Sequence, residues 1–274
     1  MSVLSRIMEE PPFRLLSYFW LKRFAKSTAT IDRWGTVDRP HYFAGVLAAA
    51  KQAMSEGVPE ISLFEFGVAG GNGLVALQEC AETIEGETGV KIRVYGFDTG
   101  EGLPELSGDF RDHPDHWLPG DYRMDVPKLQ RRLKPRTSLV LGRIAATLPE
   151  FIASSPPPTG FIACDVDLYS STKDVLQLLS LPGRRMLRRV PMYFDDVDFI
   201  FNHRFAGELL AIEEFNRENP LIKIDRWRGV RKDRVFVTQS WLDRMYVAHD
   251  LGAINATSLA RAASDACSLD EVGA

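Results

Sequence analysis

The sequence has few cysteines, no long hydrophobic run and no excess of basic charge. Its three cysteines, Cys80, Cys164 and Cys267, are odd in number and widely separated, so they predict neither a disulfide framework nor a zinc site. A reducing compartment, the cytoplasm, is therefore the expected location. The chain carries 33 Lys and Arg residues against 37 Asp and Glu residues, a net charge of −4. This balance predicts no general attraction to nucleic acid.

The N-terminal region lacks the pattern of a signal peptide or of a transmembrane helix. Its apolar stretch, residues 13–21, is interrupted by Arg14 and ends at Lys22 and Arg23, so it is shorter than the roughly 20 apolar residues that cross a bilayer. Large side chains recur in it at helical spacing. We expect this helix to cover the core or a dimer partner, and contact with a membrane surface is the alternative.

The rest of the chain alternates between strand-like and helix-like segments. Apolar strands are predicted at 61–66, 92–97, 138–141, 160–164 and 190–194, with helices at about 41–56, 74–84, 145–154, 171–180 and 204–218. Segments 221–226 and 234–238 are expected to form a closing antiparallel pair. This order predicts an α/β fold, a Rossmann-like three-layer sandwich with a mainly parallel seven-stranded sheet and an antiparallel C-terminal strand.

A glycine-rich turn follows the first predicted strand, where a helix begins. Gly67, Gly70, Gly71 and Gly73 would permit positive φ and let a ligand approach the backbone closely. The turn lacks the Lys-Ser or Lys-Thr of a P-loop, and its glycine spacing differs from that of dinucleotide-binding folds. Glu65 stands two residues before the first glycine, where a carboxylate would repel a pyrophosphate but suit an ammonium or sulfonium group. The turn therefore predicts a cationic cofactor.

Two further segments are candidates for ligand contacts. Asp98 ends the second predicted strand, where a carboxylate can accept hydrogen bonds from ribose hydroxyls; the alternative is an aspartate that only initiates the turn. Residues 100–125 are too long for a simple connector and are expected to form a lid or substrate loop. Its aromatic and histidine side chains either line an acceptor pocket or anchor the loop, and they are His113, His116, Trp117 and Tyr122.

Four sequence blocks, in this order, resemble class I S-adenosylmethionine (SAM)-dependent methyltransferases. They read EFGVAGG at 65–71, YGFDTGEGLP at 95–104, DVDLYSST at 165–172 and YFDD at 193–196. More narrowly, the chain resembles the macrocin O-methyltransferase family, whose members methylate sugar hydroxyls on macrolides. The resemblance implies SAM as the cofactor. We expect it to be bound by Glu65, Gly67, Val68, Ala69, Gly71, Gly73, Asp98, Thr99, Arg143 and Asp165. Residues 38–43, just before the first long helix, are expected to close over it.

The same resemblance implies a magnesium ion held by three aspartates. At the matching positions these are Asp165, after the fourth strand, and Asp195 and Asp196, after the fifth. Carboxyl ends of parallel strands are where such sheets bind ligands, and carboxylate oxygens suit Mg²⁺ better than zinc. The alternative is that the aspartate pair only hydrogen-bonds the substrate or the backbone.

Methyl transfer to an alcohol also needs a group that accepts the hydroxyl proton. Asp165 or Asp167 is our first candidate for this base and His203 the second. Asp167 could instead cap the helix that follows it, and His203 could be an exposed histidine at a helix start.

The expected organisation is an N-terminal helical extension over 1–40, a SAM-binding methyltransferase domain over 41–250 and a C-terminal tail over 251–274. The expected function is a Mg-assisted O-methyltransferase acting on a hydroxyl of a sugar-like or natural-product-like small molecule, as a homodimer. An NAD(P)-dependent oxidoreductase and a catalytically silent cofactor-binding protein are the alternatives.

Overall fold

Short apolar segments that end at glycine or aspartate form the central sheet. The computed structural model describes residues 7–106, 108–199 and 202–257. Within them the strands are β1 (Glu60–Phe66), β2 (Lys91–Asp98), β3 (Thr137–Leu141), β4 (Thr159–Cys164), β5 (Arg189–Phe194), β6 (Ile222–Arg226) and β7 (Met245–Asp250). Their order across the sheet is β3-β2-β1-β4-β5-β7-β6. Strands β1 to β5 are parallel, and β7 is antiparallel to both of its neighbours. The predicted sheet is confirmed.

Both faces of this sheet are covered by helices in the described part of the chain. The α-helices delimited there are α1 (Phe13–Phe24), α2 (Thr28–Trp34), α3 (Pro40–Glu56), α4 (Asn72–Thr88), α5 (Val126–Gln130), α6 (Ile144–Ala153), α7 (Tyr169–Leu176), α8 (Gly207–Glu218) and α9 (Leu251–Asn255). Tyr42 of α3 contacts Phe161 edge to face on one side of the sheet. On the other side Phe151 of α6 contacts Phe64 and Tyr95. The result is the predicted three-layer sandwich.

The closing antiparallel pair was predicted only in part. Its first strand is β6, but its partner is β7 rather than segment 234–238. That segment is bonded to α2 instead: Arg234 pairs with Asp32 at 2.9 Å, and the Val235 N–H donates to the Arg33 carbonyl at 3.0 Å. The ring of Phe236 also contacts Trp34 of α2. The strand prediction was wrong because Val235 and Phe236 contact the N-terminal helices instead of pairing with β6.

The first helix is only loosely attached to the core. Within α1 only Ser17 and Leu21 are buried. Its exposed large apolar side chains are Phe13, Leu15, Leu16, Phe19, Trp20 and Phe24. The helix therefore does not cover the core, one of its two expected roles, and a dimer partner stays a prediction. No helix in the described part of the chain is long and apolar enough to cross a membrane.

The long segment after β2 is ordered by contacts with α7. The carboxylate of Asp112 accepts hydrogen bonds from the Ser170 N–H at 2.8 Å and from its hydroxyl at 3.0 Å. The Arg111 guanidinium donates to the Tyr169 hydroxyl at 3.0 Å. These bonds hold the segment beside the carboxyl ends of the strands. Cys267 and residues 258–274 of the expected tail lie outside the described residues.

Candidate functional site

A cavity of about 710 Å³ lies where the parallel strands end. The glycine turn after β1, the end of β2 and the segments after β4 and β5 all contribute to its wall. Every residue expected to bind the cofactor lines it, namely Glu65, Gly67, Val68, Ala69, Gly71, Gly73, Asp98, Thr99, Arg143 and Asp165. The sheet topology thus brings together residues that are far apart in the sequence.

Two glycines of the turn are required by close packing. Gly67 has φ +83°, and a Cβ there would lie 1.6 Å from the Asp165 carbonyl oxygen. At Gly73, in the first turn of α4, a Cβ would lie 1.8 Å from Oε1 of Glu65. No larger side chain fits either position without a shift of the backbone or of the carboxylate. The glycine turn is therefore in close contact with the backbone of Asp165, directly after β4, and with the side chain of Glu65.

Glu65 is a buried carboxylate with one free oxygen. The side chain is only 2% exposed, and Oε1 accepts a hydrogen bond of 2.7 Å from the Tyr42 hydroxyl. Among the described residues nothing donates to Oε2. Burial raises the pKa of Glu65 to about 8. A buried oxygen without a partner is costly, so this atom is suited to a cationic or hydrogen-bond-donating ligand.

Asp98 organises the glycine turn. Its Oδ2 accepts hydrogen bonds from the Val68 and Ala69 N–H groups at 2.8 and 2.9 Å. Its Oδ1 accepts one from the Gly100 N–H at 2.7 Å. The turn-forming alternative is thus observed, while ribose binding by the remaining lone pairs stays a prediction.

Four aspartates form a second group of carboxyls in the cavity wall. They are Asp165, Asp167, Asp195 and Asp196. Burial first, and the neighbouring carboxylates second, raise the pKa of Asp165 and Asp167 to about 7 and that of Asp196 to about 8. Carboxyls with such pKa values can accept a proton near neutral pH. Oδ2 of Asp196 is buried, with no partner among the described residues.

The expected cap of α7 is supplied by another residue. Asp167 lines the cavity with φ +62°, and no side chain caps the helix at Leu168. The Ser170 N–H in the first turn is bonded by Asp112 instead. The capping alternative for Asp167 was therefore wrong. Sequence reasoning missed Asp112 because it approaches from a distant loop.

The three aspartates expected to hold magnesium do not fit that ion as arranged. Oδ1 of Asp195 accepts hydrogen bonds from Arg244, at 2.8 Å, and from the Tyr193 hydroxyl. Arg244 also pairs with Asp198 at 2.6 Å. Within the described residues, no group of three or more His, Cys, Asp or Glu side chains could hold a metal ion. The guanidinium already supplies positive charge to Asp195, so the magnesium expectation is not supported.

The second candidate base lies elsewhere. His203 is exposed, is not among the residues that line the cavity, and its Nδ1 accepts the Phe205 N–H at 3.3 Å. Of the loop side chains, Trp117 and Tyr122 line the cavity, whereas His113 and His116 do not.

Arg39 and Tyr42 lie beside Glu65, Arg39 in the cavity wall and Tyr42 behind it. Arg39 lines the cavity directly before α3, and Tyr42 is fully buried in the first turns of that helix. Both residues belong to segment 38–43, which was expected to close over the cofactor. The hydrogen bond from Tyr42 to Glu65 was not predicted, because an inward-facing aromatic on a helix is usually part of the core.

No protein-family model matches the chain, and no curated protein matches its sequence. Among solved structures, the calicheamicin methyltransferase CalS11 is 19% identical, with 88% of this chain and 93% of that chain covered and a TM-score of 0.51. MNMC2 from Aquifex aeolicus is 14% identical, with coverages of 78% and 60% and a TM-score of 0.37. An S-adenosyl-L-methionine methyl transferase from Silicibacter pomeroyi DSS-3 is 12% identical, with coverages of 86% and 97% and a TM-score of 0.34. The first likeness shows that this chain has the fold of class I SAM-dependent methyltransferases.

Proposed function

We propose that the chain is a SAM-dependent methyltransferase that transfers a methyl group to a hydroxyl of a small molecule. The observation that carries this proposal is the buried Oε2 of Glu65 at the glycine turn, which has no hydrogen-bond partner within the described ranges. SAM carries an ammonium and a sulfonium, and a carboxylate in this position suits such a ligand. The methyltransferase fold supports the same conclusion.

In this proposal the cofactor lies across the carboxyl ends of β1 and β2. Glu65 binds the ammonium, and the N–H groups of the turn approach the ligand closely because residues 67–73 include four glycines. Asp98 and Thr99 bind the ribose, and Arg143, before α6, lies at the adenine end. The support for these proposed roles is that all of these residues line the same cavity.

The acceptor would occupy the part of the cavity lined by Trp117, Tyr122, Asp167 and Asp196. Its oxygen attacks the methyl carbon in line with the breaking bond, so an O–CH₃ bond forms as the S–CH₃ bond breaks. S-adenosylhomocysteine (SAH) leaves as a neutral thioether. The hydroxyl proton passes to Asp165 or Asp167, whose pKa values of about 7 suit a base at neutral pH. No step is assigned to magnesium, because the Arg244 guanidinium already forms an ion pair with the Asp195 carboxylate.

The two alternatives fit the site less well. An NAD(P)-dependent oxidoreductase would place a pyrophosphate at the turn, beside the buried carboxylate of Glu65. A silent binding protein would have no need for the buried carboxyls of Asp165, Asp167 and Asp196, whose raised pKa values are typical of catalytic sites.

We also propose that a second copy of the chain covers the exposed apolar face of α1. Its side chains, Phe13, Leu15, Leu16, Phe19, Trp20 and Phe24, are each more than half exposed. With about 200 Å² for each side chain, they present roughly 700 Å², close to the ~800 Å² that each partner buries in a typical stable interface.

The function is tested with SAM that carries an isotopic label on its methyl group. The protein is incubated with a panel of hydroxylated glycosides and polyketide-like alcohols, and products are analysed by mass spectrometry. We expect a labelled methyl ether on one acceptor class, and none with Asp165→Asn/Asp167→Asn protein that still binds SAH. A labelled methyl on nitrogen or carbon would contradict O-methylation.

A further inference from the structure

Arg39 is a half-buried guanidinium in the wall of a cavity that is lined by several carboxyl groups. It lies directly before α3 and shares the cavity with Glu65 and Asp165. In the part of the chain that the structure describes, no carboxylate forms an ion pair with it. Its contacts are with Tyr42: the guanidinium carbon lies 5.1 Å from the ring centroid, and Nη1 donates a long hydrogen bond of 3.3 Å to the hydroxyl. Most of its hydrogen-bonding capacity is unused.

Arg39 combines partial burial with the lack of an ion pair. Arg244 binds Asp195 and Asp198, Arg111 binds Asp109, and Arg143, which also lines the cavity, is exposed. A planar guanidinium with several free N–H groups is the side chain that best matches a carboxylate or phosphate. Beside Glu65, the cavity wall thus offers a position for an anion next to a position for a cation.

Tyr42 joins this anion position to the cation position. Its hydroxyl accepts the hydrogen bond from Arg39 and donates the 2.7 Å bond to Oε1 of Glu65. The guanidinium and the carboxylate are therefore held one hydroxyl group apart, on the same side of the cavity. An α-amino acid carries its ammonium and its carboxylate on a single carbon atom, so the two groups fit such a pair of neighbouring sites.

We propose that Arg39 is an anion subsite that binds the α-carboxylate of the methionine half of SAM, while Glu65 binds the ammonium on the same carbon. This inference rests on the proposed function. It makes Arg39 a specificity-determining residue: the site recognises the amino-acid end of the cofactor as a zwitterion. Arg143, the other arginine that lines the cavity, lies before α6 and is assigned to the adenine end.

The test uses three ligands that differ only at the amino-acid end. SAH has both charges, its decarboxylated analogue keeps only the ammonium, and 5′-methylthioadenosine has neither. Each is titrated by calorimetry into the wild-type protein and into Arg39→Gln, Arg39→Lys and Arg93→Gln. Arg93, an exposed arginine on β2 paired with Glu60, is the matched control.

We expect the wild-type protein and Arg93→Gln to bind SAH at least about tenfold more tightly than the decarboxylated analogue, as a charge-assisted bond predicts. In Arg39→Gln this preference should disappear, with the affinity for the other two ligands unchanged, and Arg39→Lys should restore part of it. The inference is overturned if Arg39→Gln weakens all three ligands equally, which indicates a structural role, or weakens none. Failure of every ligand to bind the wild-type protein overturns the proposed function as well.

Discussion

Tyr42 and Glu65 share a buried hydrogen bond of 2.7 Å that occupies one carboxylate oxygen and leaves the other without a partner among the described residues. One residue comes from the first turns of α3 and the other from β1, so the pair links the helix layer to the sheet. Keeping a carboxylate in such a position opposes folding when it is ionised. We interpret the buried Glu65 carboxylate as a group that lowers the stability of the ligand-free protein and that is retained because it binds the cofactor.

The first prediction concerns stability and pH. The pKa of Glu65 is about 8 in the folded protein against an ordinary value of 4.5, because the site is buried. The folded state therefore binds the proton more tightly, and this group's contribution is fully present below about pH 4.5 and lost as the pH rises through about 8. We expect ligand-free Glu65→Gln to be more stable than wild type at pH 9, by on the order of 2 kcal/mol.

Urea unfolding at pH 5.5 and pH 9 measures this difference. Glu60→Gln, at the partly exposed start of the same strand, is the control and should behave like wild type at both values. A Glu65→Gln protein that is less stable than wild type at pH 9 would show that the ionised carboxylate is already well satisfied.

The second prediction compares two glycines of α4. A Cβ at Gly73 would lie 1.8 Å from Oε1 of Glu65, whereas a Cβ at Gly86 would meet nothing within 4 Å. We expect Gly73→Ala to lose about 1 to 3 kcal/mol of stability and most of its affinity for SAH. Gly86→Ala should instead gain about 0.5 to 1 kcal/mol through helix propensity and keep its affinity. Thermal unfolding and SAH titration of both variants measure these differences. Equal stability and equal SAH affinity of the two variants would show that the contact between Gly73 and Glu65 is not tight.

The third prediction concerns divalent metal. Because Arg244 and the Tyr193 hydroxyl already bind Asp195, we expect methyl transfer to continue unchanged in EDTA. The measurement is the turnover rate with EDTA, with EDTA followed by excess Mg²⁺, and with no addition. Activity that is lost in EDTA and restored by Mg²⁺ would mean that Arg244 leaves Asp195 in the active enzyme.

The fourth prediction concerns assembly. If a second copy covers the apolar face of α1, Leu16→Ser should convert a dimer into a monomer in light scattering coupled to size exclusion. Leu221→Ser is the matched control, because Leu221 is also exposed, at 57% against 68% for Leu16, and lies outside α1. A wild-type protein that is monomeric at high concentration would exclude this interface.

The sequence predicted the sheet and the place of the site because both depend on local patterns. Buried strands read as apolar runs, and parallel strands bring Glu65, Asp98, Asp165 and Asp195 to one edge whatever the details of packing. The side-chain partners could not be predicted in this way. That Arg244 binds Asp195 depends on β7 pairing with β5, a long-range contact that no local pattern contains.

The dependence on long-range contacts also explains why a strand was wrongly predicted at 234–238 and why the bond from Asp112 to the first turn of α7 was not predicted. The triplet at 235–237 has strand-like composition, but its backbone is bonded to α2, which precedes it by about two hundred residues. Asp112 reaches α7 from a loop whose path is set by tertiary contacts. In each case a contact with a residue that is distant in the sequence determines the local structure, and local sequence preference does not reveal that contact.

The most direct test of the account is calorimetric titration of the wild-type protein and Glu65→Gln with SAH. We expect binding to wild type that is tighter at pH 8 than at pH 6.5, because Glu65, with a pKa of about 8, must be ionised to bind the ammonium, which is still largely protonated at pH 8. Glu65→Gln should bind at least about tenfold more weakly and without this pH dependence. No binding to wild type, or equal binding to both proteins at both pH values, would contradict the account.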